Sequence, residues 1–395
     1  MSQTIMLSKK ENYKRSLIIL YGLGTLLAVS SALPAYIQSN FLGQFIDIQA
    51  IGSVFVLINL VSVVTIIFFP RFIKKLTNYF AAKIIMSLYG LSLLGAALST
   101  NGLVAIASIS LFVISANLLW INMDVLVESF SLNESTGRTR TVYFTFINTG
   151  WILSPLASAY LIELSGYSLS FLVAALMVIP CFFVLRRQAN RLHKNTNYEK
   201  KDLAVILKRV WKDKNRRSIF MVALLLQVFY SSAVIYIPFY LLHDMGMSWE
   251  VLGPIFSLML LPFIIIQIPA GIIADKYLGE KEMLITGFLI LSFSLFMFYY
   301  IQTPTIWMWA AALFLSRVGA ALVEAMRESY FFKIVDVENL QDINLFRITG
   351  PLGYIFASGL TVIILNFFPL NYLFVFLAAI MLSGIAFSAV LKDSR

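Results

Sequence analysis

The sequence predicts an all-α membrane protein in which twelve transmembrane helices form two pseudo-symmetric six-helix bundles. Three observations support this prediction. Hydrophobic residues make up 59% of the 395 residues and charged residues only 13%, with a mean hydropathy of +0.84, which leaves too little polar surface to cover a water-soluble globule. The apolar residues fall into runs long enough to cross a bilayer, and the second half of the chain repeats features of the first.

Twelve mostly apolar segments have the length of about 20 residues that a helix needs to cross the hydrocarbon core. They lie near residues 17–37, 51–69, 80–99, 102–127, 141–162, 167–186, 218–241, 251–273, 283–301, 305–330, 343–366 and 370–391. The apolar run after Arg15 is too long for a secretory signal peptide, and no small-residue cleavage site clearly follows it. We therefore expect the first segment to stay in the protein.

Basic residues occur in every second loop only. None of the 30 Lys and Arg falls in the loops after the odd-numbered segments. The N-terminal segment and the alternate loops contain Lys9, Lys10, Lys14, Arg15, Arg71, Lys74, Lys75, Arg138, Arg140, Lys276 and Lys281. The positive-inside rule then places both termini in the cytoplasm, in what we expect to be the plasma (inner) membrane. This bias accounts for much of the net charge of +10, so no nucleic-acid partner is expected.

One long internal connection, residues 187–217, divides the chain into an N-terminal six-helix bundle (1–186) and a C-terminal one (218–395). Within it, the stretch EKKDLAVILKRVWKDK has apolar residues at helical spacing with lysines between them. This pattern predicts an amphipathic helix lying on the inner leaflet.

Residues that commonly perform catalysis or bind metals are few. Cys181 is the single cysteine and lies in an apolar segment, while His193 and His243 lie in separate loops. The sequence therefore offers neither a metal cluster nor a nucleophile with a neighbouring base, and it contains no Gly-x-x-x-x-Gly-Lys-Ser/Thr phosphate loop. We expect no enzyme activity, no cofactor and no metal.

Two acidic motifs repeat at an offset of half the chain. The stretches DVLVESF, from Asp124, and EAMRESY, from Glu324, are 324 − 124 = 200 residues apart. At the same offset Thr149-Gly150 corresponds to Thr349-Gly350, Ala157-Ser158 to Ala357-Ser358, and Ser129 to Ser329. A run of matches at one offset indicates two structurally equivalent halves.

With these features the chain resembles the major facilitator superfamily over nearly its whole length. The segment GIIADKYLGEK, from Gly271, is similar to the family's Gly-x-x-x-Asp-Arg/Lys loop motif, although Gly279 comes one place late and the first-half segment PRFIKKLTNYF has no aspartate. The segment TGWILSPLAS, from Thr149, is similar to the helix 5 Gly-Pro motif of the family's proton-driven exporters, with Ser154 where glycine is usual. The resemblance implies a transporter that works by alternating access.

In this superfamily helices 1, 4, 7 and 10 line the central cavity, so polar residues on those helices are candidate substrate contacts. A polar side chain within the bilayer must face a partner or a water-filled space. The candidates are Arg317, Asn117, Gln227, Tyr230, Tyr236 and Ser31. The alternatives are that the serine bonds back to its own helix and that the tyrosines serve packing or the membrane interface.

Among these candidates Arg317 is the predicted central anchor. Counting 1.5 Å per residue from Thr305 places it roughly 18 Å from the outer surface, near the middle of the bilayer, where a guanidinium costs about 2.5 kcal/mol or more. Asn117 holds the equivalent position in the first half, since 317 − 117 = 200. We predict that Arg317 contacts a polar or anionic substrate group or a helix carbonyl.

The same count places the acidic pairs near the inner face, with Asp124 roughly 33 Å and Glu324 roughly 28 Å from the outer surface. Four-residue spacing aligns each pair on one helix face beside basic loops. We predict an inner gate or coupling site formed by Asp124, Glu128, Glu324, Glu328, Asp275 and Lys276. The alternative is a static interfacial charge cluster. Asp124 and Glu324 are the candidate proton carriers.

Two classes of function remain open. The leading one is a secondary active transporter that moves a small molecule across the cytoplasmic membrane, with proton-coupled export as its favoured form. The alternative is a transport-inactive sensor or assembly protein with the same fold. The expected partners are an unidentified small-molecule substrate, the lipid bilayer and protons, and the expected oligomeric state is a monomer.

Overall fold

The structure is a computed structural model that describes residues 2–129, 136–187, 208, 210–334 and 340–392. Side chains are described within these ranges except at 2–14, 125, 128–129, 136–142, 144, 187, 268, 275–276, 332 and 340–344. The described residues form helices and no strands, and ten of the helices are long and apolar enough to cross a membrane. The all-α membrane fold is thereby confirmed, while the count of twelve helices stays a prediction.

The helices follow one another along the chain with short connections. They are α1 (Ser2–Ala35), α2 (Gln38–Leu42), α3 (Ile48–Ala97), α4 (Gly102–Ser129), α5 (Thr136–Arg187), α6 (Lys214–His243), α7 (Trp249–Met259), α8 (Pro262–Ile265), α9 (Gln267–Ile273), α10 (Glu280–Tyr300), α11 (Ile306–Ile334), α12 (Leu340–Leu365) and α13 (Tyr372–Val390). A π-helical turn, Ala274–Leu278, joins α9 to α10.

The two longest helices, α3 and α5, are interrupted by residues with non-helical backbone angles. Thr77 interrupts α3 with φ 66° and ψ 157°, and Ser165 and Gly166 interrupt α5. An unbroken helix of 50 residues would be about 75 Å long, more than twice the hydrocarbon thickness. The interruptions fall where the sequence predicts the connections between the second and third and between the fifth and sixth apolar segments.

Contacts between residues divide the chain into two compact units. Unit 1 comprises Met1–Ala35 and Val64–Tyr198, and unit 2 comprises Tyr36–Val63 and Glu199–Arg395. The segment Tyr36–Val63 therefore packs with the second half of the chain. Its Ser39 hydroxyl donates to the Ile235 carbonyl at 2.8 Å, and the Gln49 amide donates to the Asn366 side-chain oxygen at 2.8 Å. The division into two six-helix bundles stays a prediction.

In unit 1, small residues let α1 and α5 approach closely. A Cβ atom added at Gly150 would lie 3.0 Å from Ala28 Cβ, and the Ser158 hydroxyl donates to the Leu33 carbonyl at 2.5 Å. Helices in lipid associate through such close packing and hydrogen bonding, because apolar side chains gain little by leaving an apolar solvent. The described interior polar contacts of this unit are made by neutral groups, which include hydroxyls and the Asn122 amide, which donates to the Asn78 carbonyl at 3.2 Å.

In unit 2, glycines allow the same close approach of helices at two crossings. A Cβ added at Gly319 would lie 2.7 Å from the Gly287 carbonyl, so α10 and α11 meet backbone to backbone. A Cβ at Gly353 of α12 would lie 2.5 Å from Gln227 of α6, and the Ser231 hydroxyl donates to the Gly353 carbonyl at 3.1 Å. These crossings fix α6, α11 and α12, the helices that position the polar site of this unit.

Candidate functional site

Arg317 lies in the interior of unit 2, on α11. The residue is 1% exposed, and its guanidinium carbon lies 5.0 Å from the centroid of the Phe229 ring of α6. Its polar neighbours are the hydroxyl of Ser316, at 3.5 Å, and the hydroxyl of Tyr36, with which the guanidinium interacts electrostatically. A ring face attracts a cation through its quadrupole, so Phe229 offsets part of the cost of burial.

Aromatic residues continue from Tyr36, the phenol neighbour of this guanidinium. Tyr36 packs on Phe256 with ring centroids 5.3 Å apart, and its hydroxyl interacts with that of Tyr354. Tyr354 in turn packs on Phe55 at 6.3 Å. The positive charge therefore lies beside a connected set of aromatic rings.

Within the part of the chain whose side chains are described, the charge of Arg317 has no anionic partner. Among the described residues, no carboxylate lies within ion-pair distance of its guanidinium, and its neighbours Ser316, Tyr36 and Phe229 are neutral. Buried charges in proteins are ordinarily paired, because an uncompensated one costs several kcal/mol on an order-of-magnitude scale. The site is therefore electrostatically complementary to an anion.

A second polar contact lies farther along the same helix, seven residues after Arg317. The Tyr230 hydroxyl of α6 donates a short hydrogen bond to Glu324 Oε2, and both side chains are partly buried. Tyr230 also interacts electrostatically with Arg327 and Arg317. Tyr230 thus lies within the electrostatic reach of both the buried cation and the carboxylate.

Charged residues at the end of α11 form a cluster within unit 2. Glu328 Oε1 accepts from Arg327 at 3.1 Å and from Arg347 of α12 at 3.4 Å. Glu280, which is 3% exposed at the start of α10, forms an ion pair with Lys333. The Ser329 hydroxyl donates to the same Glu280 oxygen at 3.2 Å.

The remaining gate candidates are less fully described. Asp124 is partly exposed on α4 and interacts with a neighbouring group. The side chains of Glu128, Asp275 and Lys276 lie outside the described residues, and the backbone at 275 and 276 belongs to the π-helical turn. Whether the two acidic pairs form a gate therefore stays a prediction.

The other predicted substrate contacts lie on several helices. The Ser31 hydroxyl is 3.0 Å from the Tyr89 hydroxyl within unit 1, and Tyr236 is buried in unit 2 beside the hydroxyls of Ser358 and Thr361. Asn117 of unit 1 and Gln227 of unit 2 are partly exposed, and neither side chain forms a hydrogen bond to another described residue. Arg317, Tyr230 and Glu324 are the candidates that unit 2 brings into one neighbourhood.

Three residues of this neighbourhood were not among the sequence candidates. Tyr36 follows Pro34 at the end of the first apolar run, and Phe229 lies between the candidates Gln227 and Tyr230. Glu280 stands beside the Gly279 of the loop motif. A hydrophobic pattern does not single out an aromatic residue that packs on a distant cation, so no sequence signal identified Tyr36 or Phe229.

Comparison with known families agrees with the helical, lipid-adapted architecture. The family model described as Major Facilitator Superfamily matches residues 16–277 and 250–395, which together span most of the chain. No curated protein matches the chain. On the extent of the family match, the chain belongs to the Major Facilitator Superfamily and is a multi-pass membrane transporter of that type.

Proposed function

We propose that this protein is a secondary active transporter that moves a small molecule across the cytoplasmic membrane by alternating access. The observation that carries the proposal is Arg317, a cation buried within a membrane-crossing helix, to which no described residue offers a carboxylate partner. An ionisable residue at such a depth is costly to keep and usually marks a substrate or ion pathway. The amide of Gln227, on α6 of the same unit, supplies a further hydrogen-bonding group for a polar solute.

Contacts made by the segment 36–63 support the alternating-access part of the proposal. This segment is joined to α6, α11 and α12 by two hydrogen bonds and by the packing of Tyr36 near Arg317. Contacts of this kind are worth about 1 kcal/mol each, so a set of them is strong enough to bias a two-state equilibrium and weak enough to break. We propose that they are made in one transport state and lost in the other.

We further propose that transport is coupled to protons through Glu324. We also propose that the direction is export, which the helix 5 motif favours. Glu324 has a hydroxyl partner in Tyr230 and a nearby cation in Arg327. A carboxylate in such surroundings can accept a proton and exchange one hydrogen-bonding arrangement for another. We also propose that the monomer is the working form and that both termini are cytoplasmic in the inner membrane.

The test begins with ligand identification on the purified full chain. Thermal unfolding is measured with a panel of anionic, cationic and neutral solutes, because a ligand at 100 times its dissociation constant stabilises the folded state by about 2.7 kcal/mol. Uptake of each stabilising solute, radiolabelled, is then measured in proteoliposomes with and without an imposed pH gradient. Liposomes containing Arg317→Met at equal protein density serve as the control.

The expected result is saturable uptake by the parent and at least a tenfold lower rate with Arg317→Met. Solutes that bind but are never taken up, under any gradient, would contradict transport and favour the transport-inactive sensor. Equal uptake by the parent and a correctly folded Arg317→Met would contradict the role of Arg317 and leave transport in place. Uptake that ignores the pH gradient would remove protons as the driving ion.

A further inference from the structure

We infer that Arg317 binds the carboxylate of a small organic monoanion whose remaining part is flat and apolar. The inference rests on the transporter function proposed above and names its substrate class. A guanidinium presents two parallel N–H donors that match the two oxygens of a carboxylate, so the pair gains both charge neutralisation and directional hydrogen bonds. Bound in this way, the substrate supplies the anion that the interior of unit 2 lacks around Arg317.

The count of available cations limits the substrate to one negative charge. The other arginine and lysine residues described near α11 already have acidic partners, since Arg327 and Arg347 contact Glu328 and Lys333 contacts Glu280. A phosphate or a dicarboxylate would carry a second charge into the interior without a second free cation. Since the cost of an unpaired buried charge is several kcal/mol, at order of magnitude, a monoanion is the complementary ligand.

The surroundings of Arg317 determine the rest of the substrate. The Phe229 ring face lies 5.0 Å from the guanidinium carbon, and Tyr36 packs on Phe256 at 5.3 Å. Ring faces pack best on flat groups, in offset-stacked or edge-on arrangements. An aromatic or unsaturated carboxylate therefore fits both the charge and the shape of the neighbourhood better than a sugar or a flexible aliphatic acid.

The experiment compares carboxylates with neutral molecules of the same shape. Benzoate and cinnamate are each paired with the corresponding amide, hexanoate tests the need for a flat group, and phthalate tests the limit of one charge. Thermal unfolding of the purified parent chain is followed as each probe is titrated. We expect benzoate or cinnamate to raise the unfolding temperature saturably, their amides to have no effect, and hexanoate and phthalate to bind at least tenfold more weakly.

Variants of the chain then assign the effect to Arg317. We expect Arg317→Lys, which keeps the charge but loses the planar fork, to raise the dissociation constant at least tenfold, and Arg317→Met to abolish binding. Arg216→Met is the matched control, since it removes one positive charge from the same unit at the start of α6, where Arg216 lies 3.8 Å from Asp213. Binding to Arg216→Met should equal binding to the parent.

Each possible outcome decides for or against the inference. The inference is wrong if no carboxylate of the panel stabilises the parent, if the amides bind as well as the acids, or if Arg317→Met retains binding. Should Arg317→Met fail to fold, the comparison of acid with amide on the parent still decides. Carboxylate binding without uptake of the same labelled carboxylate contradicts transport alone. Arg317-independent uptake of neutral or cationic solutes contradicts the substrate class alone.

Discussion

The two units differ in the polar groups that their interiors contain. In unit 1 the described interior contacts join neutral hydroxyls, amides and carbonyls, as where Ser30 donates to the Ala174 carbonyl at 2.7 Å and to the Tyr89 hydroxyl at 3.2 Å. In unit 2 the interior also holds charges. Glu280, Arg317 and Arg327 are each less than a tenth exposed, and every charged side chain that is so deeply buried among those described belongs to this unit.

The difference is physically instructive because the two halves share a sequence repeat. A hydroxyl can satisfy its hydrogen bonds on its own helix or on the next one, so a hydroxyl such as that of Ser30 in unit 1 requires no charged partner. A buried guanidinium needs an anion, and at the repeat-related position 117 unit 1 has an asparagine instead. The two halves thus share a sequence repeat, while the buried charges among the described residues all lie in unit 2.

The largest effect is expected from Glu324, the acidic counterpart of Asp124. We predict that Glu324→Gln lowers the stimulation of uptake by a pH gradient at least tenfold, because the amide keeps the contact with Tyr230 but cannot exchange a proton. Asp124→Asn should retain most of the stimulation. Uptake of the identified substrate into proteoliposomes measures both variants. Full stimulation of uptake by the pH gradient in Glu324→Gln would show that Glu324 does not carry the coupled proton. It would contradict the idea that the charged interior of unit 2 is what distinguishes it from unit 1 in function.

The second effect is on stability and concerns the ion pair between Lys333 and the buried Glu280. We predict that Lys333→Met destabilises the protein by about 2 kcal/mol, because the carboxylate of Glu280 stays buried without its ammonium partner. This figure is below that for a fully buried pair, since the Lys333 side chain is 42% exposed and water screens its charge. The measurement is the unfolding temperature at a fixed scan rate, as membrane proteins often unfold irreversibly.

Two further variants test whether losing the partner of a buried charge in unit 2 costs more stability than losing a buried hydroxyl in unit 1. Adding Glu280→Gln to Lys333→Met should restore part of the lost stability, because the buried carboxylate that lost its ammonium partner is then removed. Tyr89→Phe in unit 1 removes only a neutral hydroxyl from Ser30 and Ser31 and should cost about 1 kcal/mol. A cost for Tyr89→Phe equal to or above that for Lys333→Met would mean that buried charge does not distinguish the units.

The third effect concerns the acidic pairs at the predicted inner face. We predict that the double variant Glu128→Gln, Glu328→Gln shifts the resting population toward the inward-open state about tenfold, equivalent to about 1.4 kcal/mol. In unit 2 the variant weakens the contacts of Glu328 with Arg327 and Arg347. Cross-linking of cysteine pairs introduced on the cytoplasmic side reports the population. Unchanged cross-linking would identify a static charge cluster instead of a gate.

Most of the fold and part of the site follow from the sequence. Long apolar runs determine a helical membrane protein because the bilayer leaves the backbone few alternatives. Counting residues along a helix also indicated that Arg317 would be buried. The periodicity of apolar residues does not show which residues from distant segments contact each other. Tyr36 is an example, because it interacts with Arg317 only when the segment 36–63 packs in unit 2. The burial of Glu280 likewise depends on Lys333, which lies on another helix.

The smallest effect concerns a backbone feature that the two halves share. Thr77 has φ 66° and ψ 157° and Gly279 has φ 98° and ψ 161°, and the two positions are 279 − 77 = 202 residues apart. This region of backbone space is essentially reserved for glycine, so the threonine is strained by about 1–3 kcal/mol. Glycine at position 77 would relieve that strain but would add flexibility to the unfolded chain worth about 1 kcal/mol. We therefore predict that Thr77→Gly raises stability by up to about 2 kcal/mol and that Gly279→Thr lowers it by up to about 2 kcal/mol, both measured as shifts in unfolding temperature. If Thr77→Gly destabilises the protein, the contacts of the Thr77 side chain stabilise the fold by more than its backbone strain destabilises it. The turn at position 77 would then be stabilised differently from the turn at Gly279.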